Sequence, residues 1–312
     1  MMRTAMCVLA FAAVFASGPS QPEGPYDPAE PERPYDRTQQ PPTFRTRADA
    51  VAVDVSVRDG VRVISNLTAA DFEVIDNDVP QHVTDVSYGK VPIDVTVVLD
   101  VSQSVTGQTL ERLRRAVLQL MRDLNKEDRL KLVTFNMRVS RIVDFTSDTA
   151  DVERALKAAF GGGGTSAWDA VAVALVSASE PNRRQLVMLF SDAADTSSTI
   201  DPDTLIAVAQ RTTASFSAVV AYATAGPSPL FRIGPGSPVL QRLAVETGGS
   251  VFTMGPVGDL SAVFRRAVEQ FRSSYVLHFS PTGVERTGYH ALKVTVKGRE
   301  RLTITARRGY FW

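Results

Sequence analysis

From residue 51 the chain alternates apolar and polar positions in steps of two. Val51, Val53, Val55 and Val57 share one face of an extended segment, and Phe72 and Val74 repeat the pattern ahead of the turn formers Asp76-Asn77-Asp78. The same period returns towards the other end in Tyr275, Leu277 and Phe279, in Leu292, Val294 and Val296, and in Leu302, Ile304 and Ala306. Each flank predicts only a few strands, and about three is near the minimum that is stable alone. The flanks are therefore expected to pair into one small β-sandwich, with everything between them inserted.

The inserted stretch has a different rhythm. Ile93 to Asp100 (IDVTVVLD) is a nearly unbroken apolar run closed by a carboxylate, as in a parallel strand buried on both faces. Leu130 to Phe135, Gln185 to Asp192 and Phe216 to Ala223 are similar. Between the runs lie helical periods: Leu110, Leu113, Val117, Leu120 and Leu124; Val152, Ala155, Leu156 and Ala159; Leu260, Val263, Phe264, Ala267, Val268 and Phe271. Asp201-Pro202 and Ser237-Pro238 each set an N-cap residue before a proline at the first helical position, and Gly248 follows the second of these helices. Ala167 to Ser177 is apolar almost all round, which predicts a buried helix. Alternating strands and helices predict an α/β fold with a doubly wound, mostly parallel, Rossmann-like sheet.

Ahead of both parts the composition changes. Arg3 followed by the apolar run from Ala5 to Ala16, with small residues at its end, predicts a signal peptide over residues 1–18. That run is about 12 residues, short of the roughly 20 that cross a bilayer as a helix, so no membrane span is expected in the mature chain. Prolines recur at every third position from Pro19 to Pro34, the period of a polyproline II spacer, here placed over 19–43. The remaining expected boundaries are 44–90 and 274–312 for the two halves of the sandwich and 91–273 for the α/β domain. Cys7, within the leader, is the single cysteine, which leaves no disulfide framework. Lysine plus arginine and aspartate plus glutamate both total 34, so no net field recruits nucleic acid.

In an open α/β sheet, ligands bind outside the carboxyl ends of the strands, where the strand order reverses. Three segments are expected to converge there: Asp100-Val101-Ser102-Gln103-Ser104, the run Gly161-Gly162-Gly163-Gly164-Thr165, and Ser191-Asp192. Their oxygen donors suit one hard cation, Mg²⁺ or else Mn²⁺ or Ca²⁺. The hydroxyls of Ser102, Ser104 and Thr165 are expected to coordinate directly, while Asp100 and Asp192 bind the ion or hold its waters. Two carboxylates roughly neutralise the ion, and neutral hydroxyl ligands leave it electrophilic enough to accept a carboxylate from a partner.

These residues resemble a von Willebrand factor A domain with its metal-ion-dependent adhesion site. Asp100, Ser102 and Ser104 match that family's Asp-x-Ser-x-Ser motif, Thr165 the threonine of its second loop, and Asp192 the aspartate of its third. The alternating flanks and the ending Ala306-Arg307-Arg308-Gly309-Tyr310-Phe311 are further similar to exported von Willebrand A-related proteins described from acidobacteria. The resemblance implies a protein contact bridged by Mg²⁺ or Mn²⁺, with an acidic side chain of the ligand completing the metal shell. The third loop departs from the family's usual Asp-Gly, since Ala193 follows Asp192, and alanine is strained wherever φ must be positive. Of the acidic residues nearby, Asp169 is expected to orient a coordinating hydroxyl or water, and Asp195 to be a loop carboxylate.

Other chemistries find less support. The glycine run lacks the lysine of a phosphate-binding loop. His82, His278 and His290 fall in the flanks without metal-ligand spacing and are expected as ordinary strand residues. No histidine in the α/β part can activate Ser102 or Ser104, and no Gly-x-Ser-x-Gly elbow is present. The basic pairs Arg114-Arg115, Arg183-Arg184 and Arg265-Arg266 are expected on solvated faces, and Trp168 in the core. The expected function is a non-enzymatic, secreted or periplasmic module of the cell envelope, binding a protein or peptide through an Asp or Glu carboxylate. The alternatives are a metal-assisted hydrolase and a structural envelope protein with a degenerate metal site.

Overall fold

The structure, a computed structural model, describes residues 50–103, 105, 107–159, 161–177, 179–180, 182–191, 195–221, 237–254 and 258–312. The expected signal peptide and proline-rich spacer lie outside the described residues.

The N-terminal flank supplies β1 (Val51–Asp59), β2 (Arg62–Val63), β3 (Phe72–Asp76), β4 (Val79–Gln81) and β5 (Val83–Tyr88). Asn77 and Asp78 take left-handed φ values of 44° and 66°, which turns β3 tightly back into β4 at the predicted place. The α/β part runs β6 (Ile93–Asp100), α1 (Gly107–Asp123), β7 (Arg129–Phe135), β8 (Val139–Thr146), α2 (Thr149–Ala158), α3 (Ala167–Leu175), β9 (Arg184–Ser191), α4 (Pro202–Gln210), β10 (Ser215–Ala221), α5 (Pro238–Thr247), β11 (Val251–Met254) and α6 (Leu260–Arg272). The C-terminal flank adds β12 (Tyr275–Phe279), β13 (Tyr289–Val296), β14 (Thr303–Ala306) and β15 (Gly309–Phe311).

The central sheet has the order β11-β10-β9-β6-β7-β8, parallel except for β8, which runs antiparallel to β7 at one edge. Every residue of β6 and β9 is buried, as their unbroken apolar runs require. One face packs α1, α2 and α6 into a core with Val95, Val97, Leu99 and Phe190. The other packs α3, α4 and α5 against Val98, Val187, Leu189 and Val220. The caps form where expected: Asp201 accepts from Thr204 N at 2.7 Å, and Gly248 ends α5 with a left-handed φ of 75°. The helix predicted as buried is only partly so, since Val173 on α3 and Val176 just after it face solvent at 44% and 63% exposure. Its apolar composition is continuous, but only one face meets the sheet.

The flank strands pair across the whole length of the chain. β1 lies antiparallel between β12 and β14, with Val53 opposite Leu277 and Val57 opposite Ile304. β3 pairs with β13, placing Val74 opposite Val294. Val53, Val55, Phe72, Val74, Leu277, Phe279 and Val296 belong to one buried cluster that draws on both flank sheets.

Two polar features depart from the sequence reading. Arg183 and Arg184 are not on a solvated face. Arg183 Nε donates to Asp94 Oδ1 at 2.7 Å, and Arg184 Nε to Asp54 Oδ1 at 2.6 Å, which ties β9 to β1. His290 is no ordinary strand residue either. At 0% exposure its Nδ1 lies 2.9 Å from Asp76 Oδ1, while Tyr310 donates to Asp76 Oδ2 at 2.7 Å. Burial, with the carboxylate it bonds to, holds the Tyr310 hydroxyl well above a tyrosine's usual range. Among the described residues no helix is long and apolar enough to cross a membrane.

Candidate metal site

The strand order reverses between β6 and β9, because β7 lies on one side of this pair and β10 on the other. Asp100 ends β6 at this switch point with 0% exposure. A buried carboxylate is costly unless its oxygens are hydrogen-bonded. Ser102 N donates to its Oδ1 at 2.8 Å, which curls the chain sharply away from the strand. Ser191, the last residue of β9, donates its hydroxyl to Oδ2 at 2.6 Å. Both strand ends at the switch point are thus pinned to one carboxylate.

The glycine run is laced to the same loop. Gly162 N donates to Val101 O at 2.9 Å, and Gln103 N to Gly163 O at 3.1 Å. Thr165 follows at 4% exposure, with its backbone engaged by residues after β9: its N–H donates to Thr196 Oγ1 at 2.9 Å and its carbonyl accepts from Thr196 N at 2.8 Å. Gly164 permits this approach, since a Cβ there would stand 2.3 Å from Ser197 Oγ. Among the described residues the buried Ser166 hydroxyl, next along the chain, lacks a partner.

Of the expected ligands, the structure describes Asp100, Ser102 and Thr165, on two loops joined by backbone hydrogen bonds. Ser104 and Asp192, with Ala193, lie outside the described residues. Asp169 spends its carboxylate on backbone amides, accepting from Thr199 N at 2.9 Å and from Ile200 N at 3.1 Å. Asp195 is a loop carboxylate with a definite task, since it accepts from Ala167 N at 2.8 Å at the start of α3. Sequence reasoning assigned no role to Ser191, whose bond to Asp100 depends on β9 lying beside β6.

Among the described residues no group of three or more His, Cys, Asp or Glu side chains is placed to hold a metal ion. The loops that are joined here carry one buried carboxylate and serine and threonine hydroxyls. That all-oxygen, low-charge set fits a hard divalent cation that keeps several waters, and the unpartnered Ser166 hydroxyl beside it suits contact with such a water.

The family model of the von Willebrand factor type A domain matches residues 94–255, more than half of the 312-residue chain. Inter-alpha-trypsin inhibitor heavy chain H4 of Sus scrofa is 27% identical over 177 residues, 52% of this chain. The chain spans 18% of that relative's length. A solved von Willebrand factor type A structure from Catenulispora acidiphila has a TM-score of 0.50 at 13% identity, covering 81% of this chain and 76% of that one, a likeness of fold. With its doubly wound sheet and the matched span from Asp94 onwards, the chain belongs to the von Willebrand factor type A domain family.

Proposed function

We propose that this protein is an exported, metal-dependent binding module that holds a partner protein or peptide through one acidic side chain. The observation that carries the reading is the buried Asp100 carboxylate at the switch point, fixed by Ser102 N and Ser191 Oγ, with the buried Thr165 on the loop laced to it. Asp100, Ser102, Ser104, Thr165 and Asp192 are the residues we assign to the ion, Mg²⁺ or else Mn²⁺ or Ca²⁺. When bound, such a cation supplies an electrophilic position that accepts a carboxylate oxygen. The chain's own part is to present neutral hydroxyls, which leave that position electrophilic, and to keep the carboxylates fixed. Membership of a family whose domains commonly bind a divalent metal supports the assignment.

Around this unit, 91–273, we assign 44–90 and 274–312 to one β-sandwich, a reading supported by their shared core. Export follows from the apolar leader at 1–18, with 19–43 as a spacer between envelope and binding unit. Immobilised peptides carrying Asp or Glu test the function. Capture of the protein in Mg²⁺ or Mn²⁺ that is reversed by EDTA, and absent for the corresponding Asn and Gln peptides, is the expected result. Equal capture by acidic and amide peptides, or capture that EDTA leaves intact, contradicts it.

A further inference from the structure

We infer that Asp195 is a positioning residue for the metal site, holding residues 195–200 as a strap against the start of α3 and thereby setting the place of Thr165. The inference rests on the metal reading above and extends it to a residue outside the ligand set.

The first amides of a helix have no partner within it. At α3 the N-cap residue Ser166 provides no side-chain bond to them. They are satisfied instead from residues distant in sequence. Asp195 Oδ1 accepts from Ala167 N at 2.8 Å and from Trp168 N at 3.3 Å, a negative charge at the positive end of the helix. Ser198 Oγ accepts from Trp168 N at 3.0 Å and Asp169 N at 3.2 Å, and donates back to Asp195 Oδ1 at 2.5 Å. Asp169 closes the strap from the helix side through Thr199 N and Ile200 N. Between these anchors, Thr196 and Ser197 engage the backbone of Thr165.

Thr165 is thus held from two directions. The glycine run ties it to the Asp100 loop, and the strap, from the segment that follows β9, holds its backbone N–H and carbonyl. A hydroxyl is a weak ligand compared with a carboxylate, so it contributes only where its backbone is fixed in the right place. Loss of Asp195 releases the strap at its anchor, with the expectation that the Thr165 hydroxyl no longer keeps its position relative to Asp100.

Mn²⁺ titration calorimetry on the full chain tests this, with Asp195→Ala, Asp195→Asn and Ser198→Ala beside the wild type and unfolding followed in EDTA and in saturating Mn²⁺. The expected result is an affinity about 10- to 100-fold weaker in Asp195→Ala, the usual effect of losing a residue that orients a ligand. Asp195→Asn, whose amide oxygen still accepts from Ala167 N, is expected to recover most of it. Wild-type affinity in Asp195→Ala, with unfolding lowered equally in EDTA and in Mn²⁺, overturns the positioning role and leaves the metal reading intact. If Asp195→Ala does not fold, Ser198→Ala decides, and unchanged Mn²⁺ affinity there overturns the role. A wild type that takes up no Mn²⁺, Mg²⁺ or Ca²⁺ overturns the metal reading, and this inference with it.

Discussion

The Ser191 hydroxyl donates to Asp100 Oδ2 across 2.6 Å, joining the ends of two strands whose partners in the bond are 91 residues apart. The contact sits at the point where the sheet order reverses, and it holds a carboxylate that has no exposure to solvent. Ser191→Ala removes a donor from that carboxylate. A hydrogen bond to a charged group contributes about 1.5–3 kcal/mol, so the variant is expected to lose about that much stability in EDTA and to bind divalent ions more weakly. Chemical denaturation in EDTA and Mn²⁺ titration of the same variant measure the two effects.

Asp94, at the other end of β6, predicts an acid limb of stability. Burial pushes its carboxyl up, but hydrogen bonds from Arg129, Ser179 and Arg183 outweigh that and hold it below the usual carboxylate range. A carboxyl depressed in the folded state contributes stability above its unfolded value, about 3.9, and loses it as pH falls through the folded value. Stability is therefore expected to fall below about pH 4, and Asp94→Asn to flatten that fall. At neutral pH the same variant leaves Arg183 and Arg129 without their buried partner, at a cost of about 3–5 kcal/mol. Urea unfolding between pH 7 and pH 3 measures both effects.

Tyr275 tests how the flanks depend on each other. Its hydroxyl accepts from Leu67 N at 3.0 Å and donates to Ile64 O at 2.9 Å, joining the first strand after α6 to the N-terminal flank. Tyr275→Phe leaves a buried amide and carbonyl without that partner, and is expected to cost about 1–3 kcal/mol. Deletion of 275–312 is expected to abolish amide protection in β1, since Val53 and Val55 pair with Leu277 and Tyr275. Hydrogen exchange on the two chains measures this.

Much of the fold is legible in the residues, and the exceptions have physical causes. Ile93–Asp100 is a strand with the expected ends because burial on both faces leaves an unbroken apolar run. β8 carries no such signal, since it is an edge strand whose exposed positions hold Arg141 and Asp144. The Arg183-Arg184 pair reads as solvated because its partners, Asp94 and Asp54, are about 90 and 130 residues away in sequence. At the site, Asp100, Ser102 and Thr165 stand out as a motif, whereas Ser191 acquires its role only when β9 is placed beside β6. The part of Asp195 is hidden in the same way, because nothing local marks a loop carboxylate as the cap of a helix that precedes it in the chain.

Thermal unfolding of the full chain in EDTA, Mg²⁺ and Mn²⁺, beside Asp100→Ala, tests whether the site holds a divalent ion. A ligand that binds only the folded state at about 100 times its Kd adds roughly 2.7 kcal/mol. In a domain of this size that raises the midpoint by about 5–10 °C. Such a rise is expected for the wild type, and its loss in Asp100→Ala. A wild type whose midpoint is the same with and without the ions, or that rises no more than Asp100→Ala, contradicts the metal reading.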